Sequence, residues 1–177
     1  MKNVAIVAFC IALACPAYAT TYIPVDFATI VSQSQTIAHG RVVDVRSIMT
    51  VPEGRIESIV TLTVIDAIKG VADSTLSFQV PNGQIGRYRR ILVGAPEFAP
   101  GDDVIVFLRG GAPQLPSIFG VSQGVYRVGR DSTARAVVSR VPLAGADGPV
   151  VRGDPARQPL ALDAFIRQVH DVMERPQ

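Results

Sequence analysis

Through most of the middle of this 177-residue chain, apolar and polar residues alternate with a period of two. In 56–64, Val60, Leu62 and Val64 alternate with Thr61 and Thr63, the pattern of a strand with one face buried. The stretch 75–80 repeats it, with Leu76, Phe78 and Val80 on one side and Thr75, Ser77 and Gln79 on the other. Between 36 and 48 the alternation slips at Val42-Val43, two apolar neighbours behind Gly40, which predicts a bulge or sharp bend of the kind that turns the corner of a small barrel. Residues 104–108, Val-Ile-Val-Phe-Leu, are apolar at every position and predict a central strand covered on both faces. The segments 118–128 and 133–141 predict a hairpin turning at Gly129-Arg130-Asp131-Ser132.

Helical periodicity occurs at the two ends of this strand-rich region. In 26–32, Asp26 is a capping residue and Phe27, Ile30 and Val31 fall on one stripe. In 163–173, Phe165, Ile166, Val169, Val172 and Met173 form an apolar side against Arg167, Gln168 and Asp171. Two stretches follow neither period. Residues 81–101 form a long connection carrying Arg87, Arg89 and Arg90, and 142–159 holds four prolines and three glycines, the composition of a linker. The expected organisation is a β-barrel domain over 20–141, a linker over 142–159 and, in 160–177, a helix packing on the barrel.

The first nineteen residues change the setting. Lys2 precedes an apolar run of 12 residues from Val4 to Cys15, then Pro16 and the small-x-small ending Ala17-Tyr18-Ala19. This predicts a secretory signal peptide over 1–19, cleaved after Ala19, and a secreted or periplasmic protein. A membrane-spanning helix needs about 20 apolar residues, so no span is expected after cleavage. Lipidation at Cys15 is the lesser alternative, because Ala12-Leu13-Ala14 matches a lipoprotein box poorly. Cys10 and Cys15 both lie in the segment to be removed, so the mature chain of about 158 residues has neither disulfide nor thiolate metal site and depends on its core. Removing Lys2 leaves 16 basic against 15 acidic residues, a balance that gives no electrostatic case for nucleic acid.

One pentapeptide spells a named chemistry. Gly120-Val121-Ser122-Gln123-Gly124 has the form of a nucleophile elbow, G-x-S-x-G, and His170 comes later in an order compatible with a triad. An elbow needs a strand, a strained turn and then a helix, whereas Val125-Tyr126-Arg127-Val128 continues a two-period strand. With 15 glycines and 10 serines, a chain of this length shows such a pentapeptide by chance about one time in fourteen. The preferred expectation is a strand in which Gly120, Ser122 and Gly124 share a face; a small serine hydrolase using Ser122 is the alternative. His39 and His170 have no metal-ligand spacing around them, His39 being expected at the surface or capped, and neither a metal nor a cofactor is expected. Asp102 and Asp103 are neighbours on a strand and therefore point to opposite faces. Arg109-Gly110-Gly111 looks like an RNA-binding box only in isolation. Long loops in compact domains often carry function, so the cluster Arg87, Arg89 and Arg90 marks the expected binding edge, with the loop over 83–98.

In the order of its elements the chain resembles the netrin-like domain, the OB-fold module shared with tissue inhibitors of metalloproteinases. The similar pieces are a short apolar segment running into Ala38-His39-Gly40-Arg41-Val42, a strand ending in Ile68-Lys69-Gly70, Phe98-Ala99-Pro100-Gly101-Asp102 leading into 104–108, and a final helix. The resemblance implies a mainly β fold, a small five- to six-stranded OB-like β-barrel with a short N-terminal helix and a C-terminal amphipathic helix. It also implies binding of other macromolecules through loops. The family inhibits metalloproteinases through an N-terminal cysteine that chelates the protease zinc. The mature chain is expected to begin Thr20-Thr21-Tyr22 with no cysteine, so that route does not carry over. The expectation is an exported, non-catalytic module that binds an unidentified protein or extracellular ligand, with a protease inhibitor acting through a loop as a further alternative.

Overall fold

The computed structural model describes residues 24–70, 73–140 and 159–175. The segment 1–19, the mature end at Thr20, and all of the 142–159 linker but its last residue lie outside them.

Two long strands carry the architecture. β1 (Thr36–Met49) pairs antiparallel with β2 (Ile56–Lys69) along nearly its whole length. Three register shifts interrupt the ladder, one of them between Val42 and Asp44, where the extra residue Val43 is pushed out and left 49% exposed. This is the bend expected from the doubled valine. Gly40 sits at another shift because the chains come too close for a side chain: a Cβ there would lie 2.7 Å from the Thr63 carbonyl oxygen. Bent in this way, β1 reaches two neighbours. Its first half also pairs with β6 (Asp103–Arg109), from Thr36 opposite Leu108 to Arg41 opposite Asp103.

That second pairing closes a five-stranded barrel. β2 pairs with β3 (Thr75–Val80), β3 meets β7 (Ser117–Ile118) in parallel at Gln79 and Ser117, β7 pairs with β6, and β6 returns to β1. The fifth barrel strand is split: β7 and β8 (Val125–Arg130) both lie on β6, separated by the turns of residues 119–124. The expected unbroken strand over 118–128 is therefore corrected. Between β3 and β6 the long connection folds into a small hairpin of β4 (Gly83–Ile85) and β5 (Tyr88–Arg90). β9 (Ala136–Arg140) extends the sheet beyond β8, and β10 (Leu160–Ala161) lies on β9 and leads straight into the last helix. The β8–β9 turn falls later than expected, at 131–135, because the Asp131 carboxylate gathers the Thr133 and Arg135 amides at 2.8 and 2.9 Å.

The apolar run in β6 explains the layering. Val104, Val106 and Leu108 point into the barrel with Val42, Val60 and Phe78, while Ile105 and Phe107 point to the opposite side. All five are fully buried, because helices cover that outer side. Helix α1 (Phe27–Gln33) brings Ile30 and Val31, and α2 (Leu162–Glu174) brings Phe165 and Val169. Phe27 stands edge-on to Phe107 at 6.1 Å and to Phe165 at 5.5 Å, and Tyr126 lies 4.7 Å from Phe165. Such contacts each add roughly 0.5–1.5 kcal/mol beyond area burial. Asp26 caps α1 by accepting the Thr29 amide at 2.8 Å, and the Thr29 hydroxyl and amide hold its carboxyl below the usual aspartate value. At the other end Lys69 donates to the Val31 and Ser32 carbonyls at 2.8 and 3.1 Å, satisfying groups that the helix leaves open.

Candidate functional site

The pentapeptide around Ser122 is a loop bulged out of the fifth barrel strand. The Phe107 amide donates to the Gly124 carbonyl at 2.8 Å and its carbonyl accepts the Phe119 amide at 2.9 Å, so one residue of β6 holds both ends. The Gly124 amide closes the base on the Phe119 carbonyl at 2.9 Å. Gly120 and Val121 both take positive φ, 58° and 66°. Four residues are thereby folded back against the protein, and Gln123 Oε1 accepts the Val25 amide at 2.7 Å, fastening the lead into α1. The glycines and serine therefore do not share the face of a strand; this corrects the expectation. Ser122 is 1% exposed, and its Oγ has no hydrogen-bond partner among the described residues. The loop runs on into strand β8 rather than into a helix, and neither histidine is hydrogen-bonded to the hydroxyl.

His39 is buried rather than at the surface, and is capped: its Nε2 lies 2.7 Å from Asp103 Oδ1, with Arg41 3.5 Å from the other oxygen of that carboxylate. Asp102 points elsewhere and receives Arg127 at 2.7 Å and the Ala99 amide at 2.9 Å. His170 is exposed on α2. Arg109 stacks over the Phe119 ring at 5.3 Å. Among the described residues no group of three His, Cys, Asp or Glu side chains is arranged to hold a metal ion, and no helix is long and apolar enough to cross a membrane.

The open space lies elsewhere. A cavity of about 380 Å³ separates the β1–β2 wall from the loop after β3. Its apolar part, Val45, Val60 and Phe98, continues the barrel core, with Phe98 edge-on to Phe78 at 5.4 Å. Its polar part comes from Ser47 and Ser58 on the wall and from Asn82 and Gln84 on the loop. The Gln84 amide donates to Ser47 Oγ at 3.0 Å, which docks the β4–β5 hairpin on the barrel. Asn82 Nδ2 donates to the Pro96 carbonyl at 3.0 Å and Gln84 Nε2 to the Gly86 carbonyl at 3.0 Å, leaving both side-chain oxygens to face other partners.

The three arginines of the loop have three different fates. Arg90 turns inward to Glu57 at 3.1 Å, a carboxylate that also accepts Gln79 Nε2 and is only 9% exposed. This is a partly buried tie between loop and barrel, with the carboxylate the more enclosed partner. Arg89 pairs with Glu97 at 2.9 Å at the rim of the cavity, where the two side chains are 55% and 76% exposed. Exposed pairs of this kind contribute about 0.2–1 kcal/mol, so this one exchanges readily. Arg87 does not line the cavity; it lies over the Tyr88 ring at 5.1 Å and donates to the Tyr88 hydroxyl at 3.0 Å. Arg127 clamps the far end of the loop, bridging Asp102 and the Glu97 carbonyl with its guanidinium 6.0 Å over Phe98. Glu57, Glu97 and Arg127 carried no local signal, since each partner is distant in the chain or lies beyond a turn.

Fold and site together define a small closed β-barrel with an amphipathic cavity under a hairpin loop. Comparison with known proteins gives no match to any family model, curated protein or solved structure.

Proposed function

We propose that this protein is an exported, non-catalytic binding module that engages a protein or other extracellular ligand through the loop over 83–98 and the cavity beneath it. The observation that carries the reading is the cavity itself: a pre-formed cleft joining an apolar floor to polar groups, the usual construction of a binding site. Its lining includes Arg89 and Arg90, two of the three arginines that marked the loop in the amino-acid sequence. Export rests on the leader expected over 1–19. The resemblance to netrin-like domains in the order of elements supports binding through loops rather than chemistry, and so does the burial of Ser122 with no base hydrogen-bonded to it among the described residues.

The test is site-specific photocrosslinking in the exporting cell. A photoreactive residue replacing Leu92, which lines the cavity, is expected to give discrete adducts in the exported fraction. The same residue at Arg167, on the exposed side of α2, is expected to give none. Equal patterns from the two positions would overturn the placement. Fluorophosphonate labelling of the native chain that disappears in Ser122→Ala would overturn the non-catalytic reading.

A further inference from the structure

We infer that the cavity under the hairpin loop accepts the C-terminal residue of a peptide, its α-carboxylate taking the place of Glu97 on Arg89 and its apolar side chain resting on Val45 and Phe98. This rests on the proposed binding function and names the chemistry of the partner.

Three features converge on it. First, the charges of the site are unequal in availability. Arg90 is held by the buried Glu57, whereas Arg89 is held only by a carboxylate that is 76% exposed, so Arg89 is the cation at the rim that an incoming anion can capture by exchange. A guanidinium fork suits a carboxylate because two N–H groups meet two oxygens. Second, about 380 Å³ lies within the range of ligand cavities and has room for an apolar terminal residue with its carboxylate. Third, the lining is half polar. A plain hydrocarbon acid would desolvate the Asn82 and Gln84 side-chain oxygens without offering them a donor, at a cost in affinity. A peptide supplies N–H and C=O groups within reach of them, and capture of a chain terminus by such groups is a recurrent mode of recognition.

The experiment uses the purified mature chain and a matched pair of probes, acetyl-alanyl-alanyl-leucine as the free acid and as the carboxamide. Binding is followed by titration calorimetry and by amide chemical shifts at Ser47, Ser58 and Leu92. The acid is expected to bind about two- to fivefold more tightly than the carboxamide, the weight of an exposed ion pair. Arg89→Gln is expected to remove that preference. Glu97→Gln, which removes the competing carboxylate, is expected to tighten the acid about two- to fivefold and leave the carboxamide unchanged, as the weight of an exposed ion pair dictates. Both positions are exposed, so both variants keep the fold. Equal binding of acid and carboxamide, or an unchanged affinity in Glu97→Gln, overturns the inference. So does a free acid without peptide groups, 4-methylpentanoate, that binds as tightly as the peptide, since the partner would then be a small carboxylate. Crosslinking at position 92 together with equal binding of the two peptides would leave the binding module standing and remove only the carboxylate partner.

Discussion

Replacing Ser122 by alanine should stabilise this protein. The residue is 1% exposed and its hydroxyl has no hydrogen-bond partner among the described residues, so folding strips it of bulk water without a protein partner in return. Leaving a buried polar group unsatisfied costs roughly 1–3 kcal/mol, and removing the group recovers that cost when no new cavity opens. Serine and alanine differ by a single small oxygen, so the void left behind is far below the size at which cavity terms matter. The loop's own bonds survive the change: the Ser122 carbonyl still accepts the Val125 amide at 3.2 Å and Phe107 still holds both ends. The expected result is a gain of about 1 kcal/mol in urea unfolding with an unchanged slope, and a Tm higher by about 2–4 °C. A nucleophile would behave in the opposite way, because its hydroxyl would be bonded to a base and its loss would leave that base unpaired. A loss of about 1 kcal/mol or more in Ser122→Ala would refute the reasoning by showing that the oxygen has a partner.

Two further substitutions probe the features on which the barrel depends. Gly124→Ala would set a Cβ 2.7 Å from the Phe107 carbonyl oxygen and 3.0 Å from the Phe119 Cβ, with backbone on one side that cannot yield, so a loss of about 2–3 kcal/mol is expected in urea unfolding. A loss under about 0.5 kcal/mol would mean that the bulge is not pinned to Phe107 as described. Phe165→Ala is expected to lose about 3–5 kcal/mol, because its ring is buried among Phe27, Phe107 and Tyr126. A near-neutral result there would show that α2 is an appendage rather than part of the core.

What could be read along the chain, and what could not, divides by the range of the interaction that decides it. The two-residue period of 56–64 and 75–80, the slip at Val42-Val43 and the two-sided apolar run of 104–108 are local statements about which face is buried. The fold agrees with each of them: β2, β3, the bulge at Val43 and the strand between barrel and helices. The cap of α1 by Asp26 is equally local. Gly120 to Gly124 is the contrary case. As letters it suits a strand as well as a turn, and the choice is made by the Phe107 peptide, which lies on another strand and grips both ends.

The arginine cluster fails to add up for the same reason, and its failure bears on function. Three neighbouring guanidinium groups suggest a cationic patch that would draw anions by summed charge. The fold assigns the three to separate partners: Glu57, 33 positions away, Glu97, and the ring of the adjacent tyrosine. Two of the three charges are thereby paired with carboxylates, and among the described residues the exchangeable cation at the rim of the cavity is Arg89. A site built in this way selects a partner by where one carboxylate sits relative to an apolar floor. Its affinity should therefore fall only modestly with added salt, because one exposed pair is exchanged for another and few counterions are released.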